Sequence, residues 1–353
     1  MDIMDNKQNK HLVYFCVFYN TQYIDLLNIL MKTIKMYSKY DTIDFLVMTS
    51  PDFGPLIDEL SYKLQIPLHK KYFNFTTIQE AACARLYIHE YENIHSYEKI
   101  LYLDTDIIIQ NDLTTLFLSE LEDKIYAVPE ETISNESFGS LFFDFNTIDK
   151  NTHGLNSGIL LFNNKPIFEK LFETIRNHVK QRRDENLPMP ANHDQPFISY
   201  HCISKNLYSY DLMSVYAKLI TYPPFVNEPS NVIMCHFIWP IGNAQHKKDR
   251  MLYHSKNMLN NYKNILKNKE DFISPSIQGN KYTWNNGFIE FSLNNSLLTS
   301  WGNGSYDWLD KYTMHARWCG VVHTVRFNDN YTEYFSLRNH DLDFVFGSKI
   351  YNR

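Results

Sequence analysis

Between about residues 12 and 251, short apolar runs alternate with stretches whose apolar side chains recur at helical spacing. That alternation is the pattern of an α/β domain, in which strands and helices succeed one another along the chain. Residues 12–19 read as a first buried strand, 25–37 as a helix, 44–49 as a second strand and 77–92 as a helix. Residues 99–102 then form a buried strand that ends at Asp104. Helical spacing returns at 113–118 and at 167–179, the latter with Pro166 in its first turn, where a missing N–H costs nothing, and 159–162 read as a strand. The period is lost after about residue 265, in a charged segment carrying Pro275 and Gly279. Beyond it, 289–291, 324–327, 334–337 and 344–346 alternate as short strands between Asn, Gly and Asp turns. The expected organisation is an α/β domain over residues 1–265 and a small antiparallel β domain over 272–353.

A chain of 353 residues with 44% hydrophobic and 21% charged side chains can bury a substantial core, and 24 Phe and 25 Tyr supply its bulk. A net charge of −6 argues against a protein built to bind nucleic acid, because counterion release requires a basic surface. The run at 12–19 is too short for a membrane span and lacks a small-residue cleavage site, and no other stretch approaches the roughly 18 apolar residues a span requires. Five scattered cysteines, mostly in apolar segments, predict reduced, buried thiols and a cytoplasmic setting. Abundant Asn, Lys, Ile and Tyr fit an AT-rich genome such as that of a large DNA virus.

The segment richest in chemistry is Lys99 to Ile109, in which an apolar strand delivers Asp104 and Asp106 at its carboxyl end. Ligands of open α/β sheets bind there. Carboxylates two residues apart on extended chain share a face, and a turn at Thr105 lets both reach one hard cation or a water bound to it. Strand context separates this pair from Asp341 and Asp343, which lack a comparable strand before them. His236 lies in the apolar run 232–239, where a lone imidazole is more often a satisfied core residue than a ligand. Gly242, Lys247 and Lys248 follow it closely and offer a flexible backbone point and cations for a diphosphate, or simply a solvated helix start. Asp194 and Gln195 open a helix before Pro196, with Asp194 readable as a plain N-cap or as a carboxylate beside a developing positive charge. Asn156, Ser157 and Gly158 read as a turn or as the polar rim of a binding site.

Taken in order, these motifs resemble glycosyltransferase family 8 over about residues 12 to 250. The resemblance implies a GT-A fold and transfer, with retained anomeric configuration, of a hexose, glucose being the first choice, from a UDP-sugar. It implies that Tyr23 stacks on uracil while Tyr19 and Asn20 line the base pocket, and that Arg85 contacts phosphate or donor sugar. Asp104-Thr105-Asp106 is similar to the family's metal motif, and His236 resembles its third protein ligand, for Mn²⁺ or alternatively Mg²⁺. Asn156 and Ser157 resemble its sugar contacts, and Asp194 and Gln195 its pair beside the anomeric carbon. Gly242 and Lys247 match the phosphate-binding Gly and Lys, with Lys248 competing for the second role.

The expected partners are a UDP-sugar and a protein or glycan acceptor, with no nucleic acid and no membrane span; a homodimer is compatible with the sequence. A sugar nucleotidylyltransferase is the nearest enzymatic rival, but it needs a Gly-rich phosphate loop after strand one, and residues 20–30 contain no glycine. The rival from another class is a carbohydrate-binding protein acting through Trp284, Trp301, Trp308 and Trp318, although tryptophans so placed more often pack a small β core.

Overall fold

The first apolar run becomes a strand buried on both faces, and the rest of the larger unit is arranged around it. In a computed structural model that describes residues 10–221, 231–239, 243–261, 275 and 277–351, the chain runs β1 (His11–Val17), α1 (Gln22–Tyr37), β2 (Asp44–Thr49), α2 (Gly54–Leu64), β3 (Leu68–Tyr72), α3 (Ile78–Ala82), β4 (Lys99–Leu103) and β5 (Ile107–Ile109). It continues through α4 (Thr114–Leu118), β6 (Ile125–Thr132), β7 (His153–Asn163), α5 (Pro166–Asp184), α6 (Gln195–Ser204), β8 (Tyr208–Ser209), α7 (Met213–Tyr216), β9 (Ala217–Leu219), β10 (Met234–His236) and α8 (Ala244–Asn260).

Seven strands form one twisted sheet in the order β3-β2-β1-β4-β7-β6-β8, with β3, β2, β1 and β4 mutually parallel and β7 antiparallel to β4. Side chains of β1 alternate between the two faces as the period of two requires. Val13, Phe15 and Val17 pack with Leu26, Leu27, Leu30 and Ile34 of α1. Leu12 and Tyr14 share the opposite core with Phe168, Leu171, Phe172 and Ile175 of α5, a spacing that places one apolar stripe of that helix on the sheet. The chain leaves β1 toward β2 and β3 on one side and returns to β4 on the other, so β1 and β4 flank the switch point where such sheets bind ligands.

One expected helix is realised differently. Over 77–92 the chain makes only the short α3, opened by a reciprocal cap between Thr77 and Glu80, and then winds as a tighter 3₁₀ segment, Ala84–Glu90. The change of pitch keeps Ala84, Arg85, Leu86 and Ile88 all buried, which a continuous α-helix would spread around its circumference. The strand expected around His236 is likewise only three residues long. Four of the five cysteines are buried or half-buried, but Cys319 is exposed because it sits, at φ 51°, in the tight turn between two strands of the second unit.

That second unit is a closed antiparallel meander of β11 (Lys281–Trp284), β12 (Gly287–Phe291), β13 (Ser296–Thr299), β14 (Gly302–Trp308), β15 (Thr313–Trp318), β16 (Val321–Phe327), β17 (Glu333–Arg338) and β18 (Phe344–Ile350). Each strand pairs with the next, and β18 returns to β11. Its interior is filled by Tyr282, Trp284, Phe291, Tyr306, Trp318, Phe327 and Tyr334, so Trp284 and Trp318 serve packing. Trp308 is partly buried against that core and Trp301 is exposed. Asp341 and Asp343 are tied to Arg338 at 2.7 and 3.1 Å in a turn.

The barrel packs on the far halves of α1 and α8. Leu309, Phe335, Leu337 and Leu342 join the core beneath α1. The Lys32 ammonium donates to the Leu342 carbonyl at 2.9 Å, Arg326 to the Met36 carbonyl at 2.9 Å, and Asn339 to Asn260 at 3.1 Å. The boundary expected near residues 265 to 272 lies outside the described residues.

Candidate active site

Two short pairings bring the acidic pair and the histidine together. Strand β4 ends at Leu103, one more bond to β7, from Asp104 N–H to the Gly158 carbonyl at 2.8 Å, holds Asp104 at the sheet's end, and the chain turns at Thr105 and Asp106. After the turn, β5 pairs antiparallel with β10 so that His236 stands opposite Ile107, and Phe237 N–H donates to the Asp106 carbonyl at 2.9 Å. His236 Nε2 thereby lies 3.2 Å from an Asp106 oxygen and 3.7 Å from an Asp104 oxygen. One ligand atom from each of the three residues falls within 4.8 Å of the others. Thr105 and Asp106 are buried, whereas the Asp104 side chain is partly open to the cavity.

Hydrogen bonding determines which imidazole nitrogen faces the carboxylates. Asn156 Oδ1 accepts Gly158 N–H at 3.0 Å and lies 3.1 Å from His236 Nδ1, while Asn156 Nδ2 donates to Glu130 at 2.6 Å. The amide cannot turn over without losing both the Gly158 and the Glu130 bonds, so its oxygen accepts from Nδ1–H and Nε2 is the nitrogen turned toward the carboxylates. Two carboxylates and a neutral imidazole are the donor set of a divalent ion with some nitrogen affinity. Space is kept open by Gly158, where an added Cβ would stand 2.3 Å from the imidazole Cε1 and 2.6 Å from an Asp104 oxygen. The residues present therefore fit a bound divalent cation.

Lys247, in the first turn of α8, pairs with Asp106, while Lys248 turns away to Asp25 at 2.9 Å. Burial raises the Asp106 carboxyl, but the Lys247 ammonium and His236 outweigh it and hold the group well below the usual carboxylate range. Burial lowers Lys247 and the Asp106 charge more than reverses it, so the ammonium is retained. The lysine is no solvated helix start.

Across the cavity, Arg85 is buried between two carboxylates, 3.3 Å from Asp104 and 2.9 Å from Asp194, and its guanidinium lies 4.6 Å from the centre of the Tyr102 ring. The contact to Asp194 is an ion pair without an aligned N–H, since neither atom completes a hydrogen bond. Arg85 also donates to the Ser157 carbonyl. Asp194 stands at the N-cap of α6 but makes no side-chain cap bond there; its side chain is 2% exposed and the residue lines the cavity. Burial pushes its pKa up to about 6, with Arg85 opposing and Asp104 reinforcing the shift. The turn before it contains two successive non-glycine residues in left-handed conformation, Asn192 at φ 62° and His193 at φ 50°. Such conformations cost about 1–3 kcal/mol each and persist where surrounding structure requires them. Here they turn the carboxylate inward. Gln195 accepts Ser157 N–H at 3.0 Å, locking the two motifs to each other.

Together these groups line a cavity of about 560 Å³ containing Arg85, Asp104, Asn156, Ser157, Asp194, Gln195, His236 and Lys247. Tyr19, Asn20 and Tyr23 are not part of its lining. Tyr19 follows β1 at φ 66° and is 67% exposed, a strained residue presenting an aromatic ring at the sheet's carboxyl end. Asn20 accepts Gln22 N–H at 2.9 Å. Tyr23 is half-buried, and burial raises its pKa, with Lys247 and Asp106 near enough to act on it. Gly242 lies outside the described residues.

Sequence reasoning passed over Glu130, Glu131, His193, Thr221 and Trp239, all of which line the cavity. Glu130 is raised above its ordinary pKa by burial, with the Asn156 bond opposing. Consecutive glutamates after an apolar strand, the arrangement that drew notice at Asp104, were the available signal. Among the described residues no helix is long and apolar enough to cross a membrane.

No curated protein matches the chain. Among solved structures, the glycosyltransferase GlyE of Streptococcus pneumoniae aligns at 21% identity and TM-score 0.40, covering 57% of this chain and 45% of its own. This chain thus spans less than half the length of that protein. The galactosyltransferase LgtC, in complex with donor and acceptor sugar analogs, aligns at 16% identity and TM-score 0.46, covering 68% of this chain and 93% of its own. Mouse xyloside xylosyltransferase 1 aligns at 14% identity and TM-score 0.45, covering 66% and 99%. With the α/β sheet, the acidic strand end and the converging histidine in place, the decisive match is the profile of glycosyl transferase family 8 over residues 3–240, and the chain belongs to that family of glycosyltransferases.

Proposed function

We propose that the protein transfers a hexose from a UDP-sugar, with retained configuration, using a divalent cation held by Asp104, Asp106 and His236. The carrying observation is the meeting of these three side chains, two from the turn after β4 and one from β10, around space that Gly158 leaves open. A cation bound there supplies Lewis-acid neutralisation of the nucleotide's phosphates, with Mn²⁺ favoured over Mg²⁺ by the imidazole ligand.

The remaining chemistry falls to the side chains. As the bond from the anomeric carbon to the β-phosphate oxygen breaks, its electron pair leaves with UDP. The acceptor oxygen bonds the same carbon, and the acceptor proton passes to the departing diphosphate. Lys247 carries a retained positive charge at the edge of the site and can exchange its Asp106 partner for phosphate. Arg85 orients Asp104 and Asp194 at once. Asp194, ionised above about pH 6, offers negative charge to the positive charge developing at the anomeric carbon. Gln195 and Asn156 hold Ser157 and His236 in place. Tyr19, Asn20 and Tyr23 are assigned to the nucleobase beyond the main cavity, at the carboxyl end of β1.

The test is sugar transfer or donor hydrolysis from UDP-glucose with saturating MnCl₂. Asp104→Ala should lower turnover by about 10³-fold, a loss of about 4 kcal/mol of transition-state stabilisation. Parental turnover by that variant would remove the metal assignment.

A further inference from the structure

The groups assigned to the donor leave one wall of the cavity unexplained. It is made by Glu130 and Glu131 at the end of β6, with Asn135, Thr221 and Trp239. Glu131 accepts from Asn135 Nδ2 at 2.8 Å, and Glu130 accepts from Asn156 Nδ2 at 2.6 Å, so both carboxylates are held in place by amides. None of these five residues is a lysine or arginine, and the cations that line the cavity among the described residues, Arg85 and Lys247, are engaged by Asp104, Asp194 and Asp106. Two fixed carboxylates repel a second phosphate or carboxylate and, with free lone pairs, accept hydrogen bonds from hydroxyls.

Trp239 supplies the other half of the chemistry. It lines the cavity yet is 49% exposed, in a protein whose large aromatic side chains mostly find a core. Its carbonyl accepts from Arg250, which ties the segment bearing the indole to α8. An aromatic surface sharing a cavity with hydroxyl-accepting carboxylates matches a sugar ring, which offers C–H groups on one face and hydroxyls around its edge.

We propose that this wall is the acceptor subsite and that the acceptor is an uncharged saccharide, its ring resting on Trp239 and its hydroxyls bonded to Glu130 and Glu131. The inference rests on the donor reading above, because only a site that holds a nucleotide sugar needs an acceptor beside it.

The experiment is saturation-transfer difference NMR on the full chain with UDP and MgCl₂, avoiding paramagnetic Mn²⁺. Probes are methyl β-glucoside, methyl β-galactoside, lactose, maltose and cellobiose, with methyl glucuronide, glucose 6-phosphate and a tyrosyl peptide as the contrasting set. At least one neutral saccharide should bind and the charged sugars and peptide should not. Trp239→Ala should weaken that binding at least tenfold, with Trp239→Tyr restoring most of it and circular dichroism reporting that both variants fold. Glu131→Gln should admit the glucuronide. Binding of UDP with no neutral saccharide bound overturns the acceptor proposal and leaves the donor reading standing, as does preferential binding of the charged sugars or the peptide. Parental saccharide binding by folded Trp239→Ala overturns it too. Failure of UDP and MgCl₂ to bind, measured separately by calorimetry, overturns both.

Discussion

Gly158→Ala tests the proposed metal site by adding a single methyl group. An added Cβ would stand 2.3 Å from the His236 Cε1, where carbon atoms ordinarily approach to about 3.5 Å, so the ring must retreat by about 1.2 Å. Retreat is opposed by the bond from Nδ1 to Asn156, and the same methyl would crowd Asp104 at 2.6 Å. Metal–ligand distances tolerate only about ±0.2 Å, several times less than the displacement required. The expected loss of cation affinity is about 10- to 100-fold, or about 1.4–2.7 kcal/mol. Overpacking should lower fold stability by a further, separate amount of about 1–3 kcal/mol. The assay is titration of Mn²⁺ in the presence of UDP, read by the loss of the free-ion electron paramagnetic resonance signal, on variant protein that retains the parental circular dichroism. A folded Gly158→Ala that binds Mn²⁺ with parental affinity would refute the argument that this space belongs to a cation.

Two further predictions concern stability. His201, His254 and His323 are each buried, and burial lowers their pKa values to about 4. Between pH 6.5 and about 4 the unfolded chain binds protons that the native state refuses, so stability should fall as pH falls through that window, by at most about 1.4 kcal/mol per pH unit for each group. A urea midpoint that stays level from pH 6.5 to 4.5 would contradict this. Leu337, fully buried where the barrel meets α1, should cost about 2–5 kcal/mol when replaced by alanine. Because the two units share that core, calorimetry should show Leu337→Ala lowering the melting of both together; a shift confined to one of two resolved transitions would count against a common core.

What the sequence disclosed follows from the range of each interaction. Asp104 and Asp106 were legible because the apolar strand that carries them is local, and so was the helical stripe of α5. His236 was ambiguous because β10 has meaning only through β5, more than 120 residues earlier. Lys247 and Lys248 are adjacent on a helix and point about 100° apart, so no spacing rule could choose which meets Asp106. Asp194 looked like an ordinary cap because its inward turn depends on backbone angles at Asn192 and His193 that side-chain type does not dictate. The short alternating strands announced an antiparallel unit, but closure depends on β11 meeting β18 across nearly the whole unit.

That closure constrains how the second unit can recognise anything. A peptide cannot dock by strand addition where every strand already has two neighbours. Whatever meets this barrel must read side chains on its outer wall or the turns at its rims, so specificity there will track residue identity and be tunable by point substitutions at those turns.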